Sequence, residues 1–192
     1  MLIRGYSLVE LLLVLALAST ISAVAVPQVM SGIDDQRAAG AARFFSTRLQ
    51  HVRMQAIVRS AAVAMRITSD SRGYTFAVYV DGNRNGVRTR DIDDGVDVRV
   101  QGPERLADNF RGVDFGTLPG LPPVDPGGTA PGSDPIRLGT SDLATFTPAG
   151  TATAGSVYVR GRRTQYVIRI FGDTARTRVL RFDARTNKWN PM

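Results

Sequence analysis

From Tyr6 to Ile33 every position is uncharged except Glu10, and the chain then changes character at Asp34 and Asp35. At about 1.5 Å per residue, a helix over this run reaches roughly 42 Å, longer than the ~30 Å hydrocarbon core of a bilayer. The pattern predicts a membrane helix over residues 6–33. Beyond it Phe45, Leu49, Val52, Ala56 and Ile57 recur at helical spacing, while Arg37, Arg43, Arg48, Arg53 and Arg59 fall mostly elsewhere. A second, amphipathic helix is expected over about 34–60, continuing the first, with Pro27 bending it rather than ending it; Asp34 and Asp35 equally suit a fresh helix start.

Alternation and turn residues take over after residue 60. Strands are expected at 61–67, 74–80, 95–100, 112–115, 143–147, 155–160, 165–170 and 177–182. The first two form a hairpin across "TSDSRG", with Gly73 near its turn. "LPGLPPVDPGGTAPGSDP" (118–135) reads as a long irregular loop. One long helix followed by many short strands is an α+β class, the helix packed on antiparallel sheet.

Charge orients the chain. Arg4 precedes the apolar run and two acids follow it, so positive-inside reasoning puts the N-terminus in the cytoplasm and residues 34–192 outside. A secretory signal peptide is the rival, with Arg4 as its basic region, Leu8–Ala18 as its core, and Ala23 and Ala25 near a conceivable cut. The run's length and its single leading Arg count against that rival. The chain of 192 residues has no cysteine, so an exported domain of this size holds together by its core alone.

A net charge of +7 is unevenly placed. Residues 159–192 hold eight arginines and Lys188 against Asp173 and Asp183, which accounts for all of it. Within this stretch "RGRRT" (160–164) is expected to be a hairpin tip carrying Arg160, Arg162 and Arg163, with Tyr158 and Tyr166 nearby. Arg176 and Arg178 flank another turn at "GDTARTR". Two such tips on one edge make a basic rim suited to a phosphate backbone, so DNA is a candidate partner. A plain solvated surface, or a patch docking on acidic neighbours, is the alternative.

Other chemistry is thinly represented. "DGNRNG" (81–86) begins like a calcium loop, but its twelfth position is Ile92, flanked by Asp91 and Asp93, and Arg84, Arg88 and Arg90 oppose a cation. A turn built from Asn and Gly is the favoured reading, and no metal or cofactor is expected. His51 is the only histidine and lies on the scaffold helix; no Gly-x-Ser-x-Gly or cysteine nucleophile is present. Nothing points to an enzyme. Trp189 is expected to tuck against the sheet.

Glu10 asks for an explanation, because a charge within an apolar span is costly and usually has a partner or a task. "RGYSLVELLLVLALASTISAVAVP" resembles the N-terminal signature of type IV prepilins and type II secretion pseudopilins. Those have a basic leader ending in Gly, an aromatic residue, Ser/Thr-Leu-Val/Ile-Glu-Leu and an apolar helix. Tyr6 stands where Phe is commoner. "VYVDGNRNGVRTRDIDDGVD" (78–97) and "ATFTPAGTATAGSVYVR" (144–160) more loosely resemble the GspH/FimT group of these proteins.

The resemblance implies a pilin-like fold and a three-part chain: a leader at 1–5, an assembly helix at 6–33 and a periplasmic domain at 34–192, β-rich from 61. It also implies cleavage between Gly5 and Tyr6 by an inner-membrane prepilin peptidase, then N-methylation of Tyr6. Glu10 then faces the Tyr6 amine of a neighbouring subunit, which offsets its cost in a packed bundle. Pro27 matches a helix-bending proline of many members. The function implied is that of a minor pseudopilin in a type II secretion filament. The alternative is a FimT-like minor pilin that binds DNA for uptake through its Arg-rich C-terminal region.

Overall fold

The structure, a computed structural model, describes residues 7–192. Helix α1 spans Leu8–Arg59 without a break. A proline inside a helix removes one N–H donor and crowds the turn before it, yet the helix passes through residue 27, as the expected continuity required. It stops at Ser60, which takes the left-handed conformation (φ 49°) and donates its N–H to the carbonyls of Ala56 and Ile57.

The two halves of α1 live in different surroundings. Leu8, Leu11, Leu15, Ile21, Val24, Val29 and their apolar neighbours are exposed. From Ala38 onward a narrow stripe is fully buried: Ala38, Ala41, Ala42, Phe45, Leu49, Val52 and Ala56. Ile57 was expected on this stripe, but it is 46% exposed, like Met54 and Val58. The steps 45, 49, 52, 56 already close the face, and one further residue turns about 100° away.

Among the described residues ten strands form two antiparallel sheets. The first has the order β3-β2-β1-β6, from β1 (Val63–Asp70), β2 (Gly73–Val80), β3 (Val98–Glu104) and β6 (Leu143–Phe146). The expected β1–β2 hairpin is present, with Asp70 opposite Gly73. Gly73 sits at φ +113°, where a side chain would be strained.

The second sheet runs β10-β9-β8-β7-β4, from β4 (Asp114–Phe115), β7 (Gly155–Arg160), β8 (Gln165–Ile170), β9 (Thr177–Asp183) and β10 (Lys188–Pro191). Strand β5 (Ile136–Arg137) also pairs with β7, beside Val157 and Ser156. Two short helices, α2 (Thr89–Asp93) and α3 (Leu106–Asn109), lie in connections between the expected strands, where no helix is expected. The strand expected at 95–100 instead runs from Val98 to Glu104.

Helix α1 fills the space over both sheets. Phe45 meets Phe76 from β2 and Phe115 from β4 edge-on, with ring centroids 5.4 and 4.9 Å apart. Val157, Val159, Tyr166, Ile168 and Ile170 join this core. The alternate residues Tyr158, Val167 and Leu180 face the other side of the sheet, where Leu118, Leu121, Val124 and Trp189 cover them. The irregular 118–135 segment is therefore a lid on the sheet's outer face, which explains why β7 and β8 are buried on both faces. Gln165, 1% exposed, ties that lid down: its Oε1 accepts from Leu118 N at 2.8 Å and its Nε2 donates to Gly116 O at 3.0 Å.

Candidate functional site

At the N-terminal end of α1, Ser7 and Glu10 form a capping box. Ser7 Oγ accepts from the Glu10 N–H at 3.2 Å, and Glu10 Oε2 accepts from the Ser7 N–H at 3.4 Å. Glu10 thus has a role inside its own chain, satisfying a helix-end donor that has no carbonyl partner. The Ser-x-x-Glu spacing of Ser7 and Glu10 is the sequence signal for this box. Gly5 and Tyr6 lie outside the described residues. α1 is the one described helix long and apolar enough to cross a membrane, and among the described residues the apolar window within it has none of its residues buried.

Where the apolar run ends, the β7–β8 turn meets the helix. Asp34 Oδ2 accepts the backbone N–H of Arg162 at 3.0 Å and that of Arg163 at 3.4 Å. Gly161 allows this approach, since a Cβ there would stand 3.0 Å from Ala38 Cβ and 2.7 Å from Thr164 Oγ1. On β9, Arg181 pairs with Asp35 at 3.1 Å. These groups line a groove of about 490 Å³ that begins at Met30. Arg162 and Arg163 are exposed, and neither guanidinium has a carboxylate partner among the described residues.

The sequence suggested a single basic rim, and the structure divides it. Arg160, Arg162 and Arg163 sit at the Gln165 end of β8, whereas Arg176 and Arg178 sit at its Ile170 end. Six strand residues separate the two tips by roughly 17 Å. Tyr158 and Tyr166, expected beside the first tip, are both 2% exposed. Their rings belong to the two core layers and offer no stacking surface.

The 81–86 loop is organised by its own carboxylates. Asp81 accepts from the N–H groups of Asn83, Arg84 and Gly86, and the buried Asp97 accepts from Gly82 and Arg88. This is the turn architecture that Asn, Asp and Gly favour. Among the described residues no group of three or more His, Cys, Asp or Glu side chains is placed to hold a metal ion.

Comparison with protein-family models, with curated proteins and with solved structures finds no match in any of the three. Function therefore rests on the residues themselves. His51 is exposed on α1 and hydrogen-bonds to Gln55 at 3.0 Å. Trp189 tucks in as expected, its ring against Tyr158 and Phe182 and its Nε1 donating to Pro122 O at 3.1 Å. The groove between Asp34 and the 161–164 turn was missed, because the two segments are 128 residues apart in sequence. The uncharged run ending at Asp34 was the signal for one side of it, and the arginine cluster for the other.

Proposed function

We propose that this chain is a membrane-anchored structural subunit of a pseudopilus-type filament, the minor pseudopilin role its N-terminal residues suggest. In this reading residues 1–5 are removed by a prepilin peptidase, the Tyr6 amine is methylated, and the domain from residue 34 stands in the periplasm. The subunit is a building part and not a catalyst. The supporting observation is the division of α1: one uninterrupted helix whose first half is apolar and exposed, and whose second half is built into the β-rich domain. An exposed apolar helix surface of this length needs lipid or other helices around it. A rigid helix can exchange one environment for the other while carrying its domain along.

The test is a comparison at Glu10. Glu10→Gln keeps a side chain able to complete the capping box but removes the charge; Glu10→Ala removes both. Both variants are expected to insert in the membrane and to fail to enter cross-linked filaments. Normal assembly of Glu10→Gln would reduce Glu10 to a helix cap and remove the inter-subunit ion pair from the proposal.

A further inference from the structure

The groove at the membrane end of the domain has more than charge. Thr164 is 8% exposed, and among the described residues its Oγ1 has no hydrogen-bond partner. It lines this groove and also the adjoining one of about 740 Å³ that extends toward Arg185. A buried hydroxyl without a partner is costly unless something else satisfies it. Arg162 and Arg163 stand beside it, and among the described residues neither guanidinium is paired with an acid. Asp34 and Asp35, the acids of the groove, are already engaged: Asp34 with two backbone amides and Asp35 with Arg181.

Position along α1 decides what can reach this site. Leu8–Ile33 as a helix measures roughly 39 Å, close to the 40–45 Å of a bilayer including its headgroup layers. Asp34 then lies at the headgroup level on the far side, and the turn bound to it lies there too. Guanidinium groups pair with phosphate through parallel N–H donors, and a hydroxyl adds a third donor.

We infer that the groove formed by Arg162, Arg163 and Thr164 against Asp34 binds the phosphate of an anionic phospholipid headgroup. This rests on the membrane-anchored reading above. Bound lipid holds the domain down on the bilayer surface before assembly, and the site empties when the helix leaves the membrane. One basic side chain near an anionic surface contributes about fivefold in association, so two give a selectivity of about tenfold after partial offset by the nearby acids.

The full chain reconstituted in phosphatidylcholine vesicles tests this. Flotation with the vesicles reads the anchor first, and a chain that does not float overturns both proposals. In floated material, spin-labelled phosphatidylglycerol and spin-labelled phosphatidylcholine are compared for the fraction immobilised by the protein. About a tenfold preference for phosphatidylglycerol is expected. Arg162→Gln with Arg163→Gln should bring it near unity, and Thr164→Val should lower it partway. Asp34 holds the turn through backbone amides, so these variants keep their docking. Arg176→Gln with Arg178→Gln, at the far end of β8, should leave the preference unchanged. Equal immobilisation of the two lipids, or a preference insensitive to Arg162 and Arg163, overturns the inference while the anchor stands. Displacement of the labelled lipid by millimolar inorganic phosphate would assign the groove to a soluble anion. Displacement by duplex DNA at physiological salt would assign it to nucleic acid. Either result overturns the lipid assignment.

Discussion

Asp34 and Arg162 are 128 residues apart, and the carboxylate of the first accepts the backbone N–H of the second at 3.0 Å. This bond joins the end of the apolar run to the most basic hairpin tip and adds a contact there to the core packing that already fixes the domain on α1. Asp34→Ala leaves the Arg162 and Arg163 amides without that acceptor and should cost about 1–2 kcal/mol. Asp34→Asn retains an oxygen and should cost less than half as much. Thermal melting of the full chain in detergent measures both. Equal losses would show that charge, and not the acceptor, holds the turn.

Gln165 is the second point where one side chain secures a long segment. Its amide serves Leu118 N, Gly116 O, Val159 O and Tyr166 O, all within 3.1 Å. Gln165→Leu keeps the bulk and strands those backbone groups in a dry site, so about 2–4 kcal/mol should be lost. Hydrogen exchange should show the loss concentrated in residues 116–124. A uniform decrease across both sheets would contradict the view of that segment as a separately held lid.

Acid titration should reveal Asp70. The Arg105 guanidinium, and after it the Arg72 backbone N–H, hold its carboxyl below the ordinary aspartate range. The unfolded chain therefore takes up this proton at higher pH than the folded one. The resulting stability is fully present above the ordinary carboxylate value of about 4 and is lost as pH falls through the lower folded value. Asp114 has the opposite sign: burial raises it, so its penalty develops as pH climbs above the ordinary value. The melting difference between wild type and Asp70→Asn should be constant at neutral pH and shrink below about pH 4. A difference that persists unchanged in acid would rule out the ion pair as its source.

Much of this architecture was legible because it follows from local pattern. Gly155–Arg160 and Gln165–Ile170 form strands over the residues their alternation marks out, and α1 ends within a residue of its expected stop. The missed strands have little pattern to show. Ile136–Arg137 and Lys188–Pro191 are short, and they form because β7 and β9 present open edges to them. Ile57 and the basic rim failed for a shared reason. Periodicity ranks residues by face, and a turn can be placed at a strand end, but neither indicates how wide the covered stripe is or which end of a sheet meets the helix. That long-range geometry decided the candidate site.

The split between the two arginine tips bears directly on nucleic acid. Duplex binding through the 160–163 tip engages at most three arginines, and through the 176–178 tip two. With about 0.9 counterions released per phosphate, the log–log salt slope for one tip should be no steeper than about −3. Such binding should vanish near physiological salt, because so few phosphates are neutralised by one tip. Fluorescence anisotropy of a labelled duplex with the full chain in detergent, titrated with salt, gives the slope. Arg160→Gln, Arg162→Gln and Arg163→Gln together should abolish what remains, or leave only the weaker contribution of the other tip. A slope near −5, reduced both by that variant and by Arg176→Gln with Arg178→Gln, would put both tips on one duplex. The DNA-uptake alternative would then stand ahead of the secretion filament.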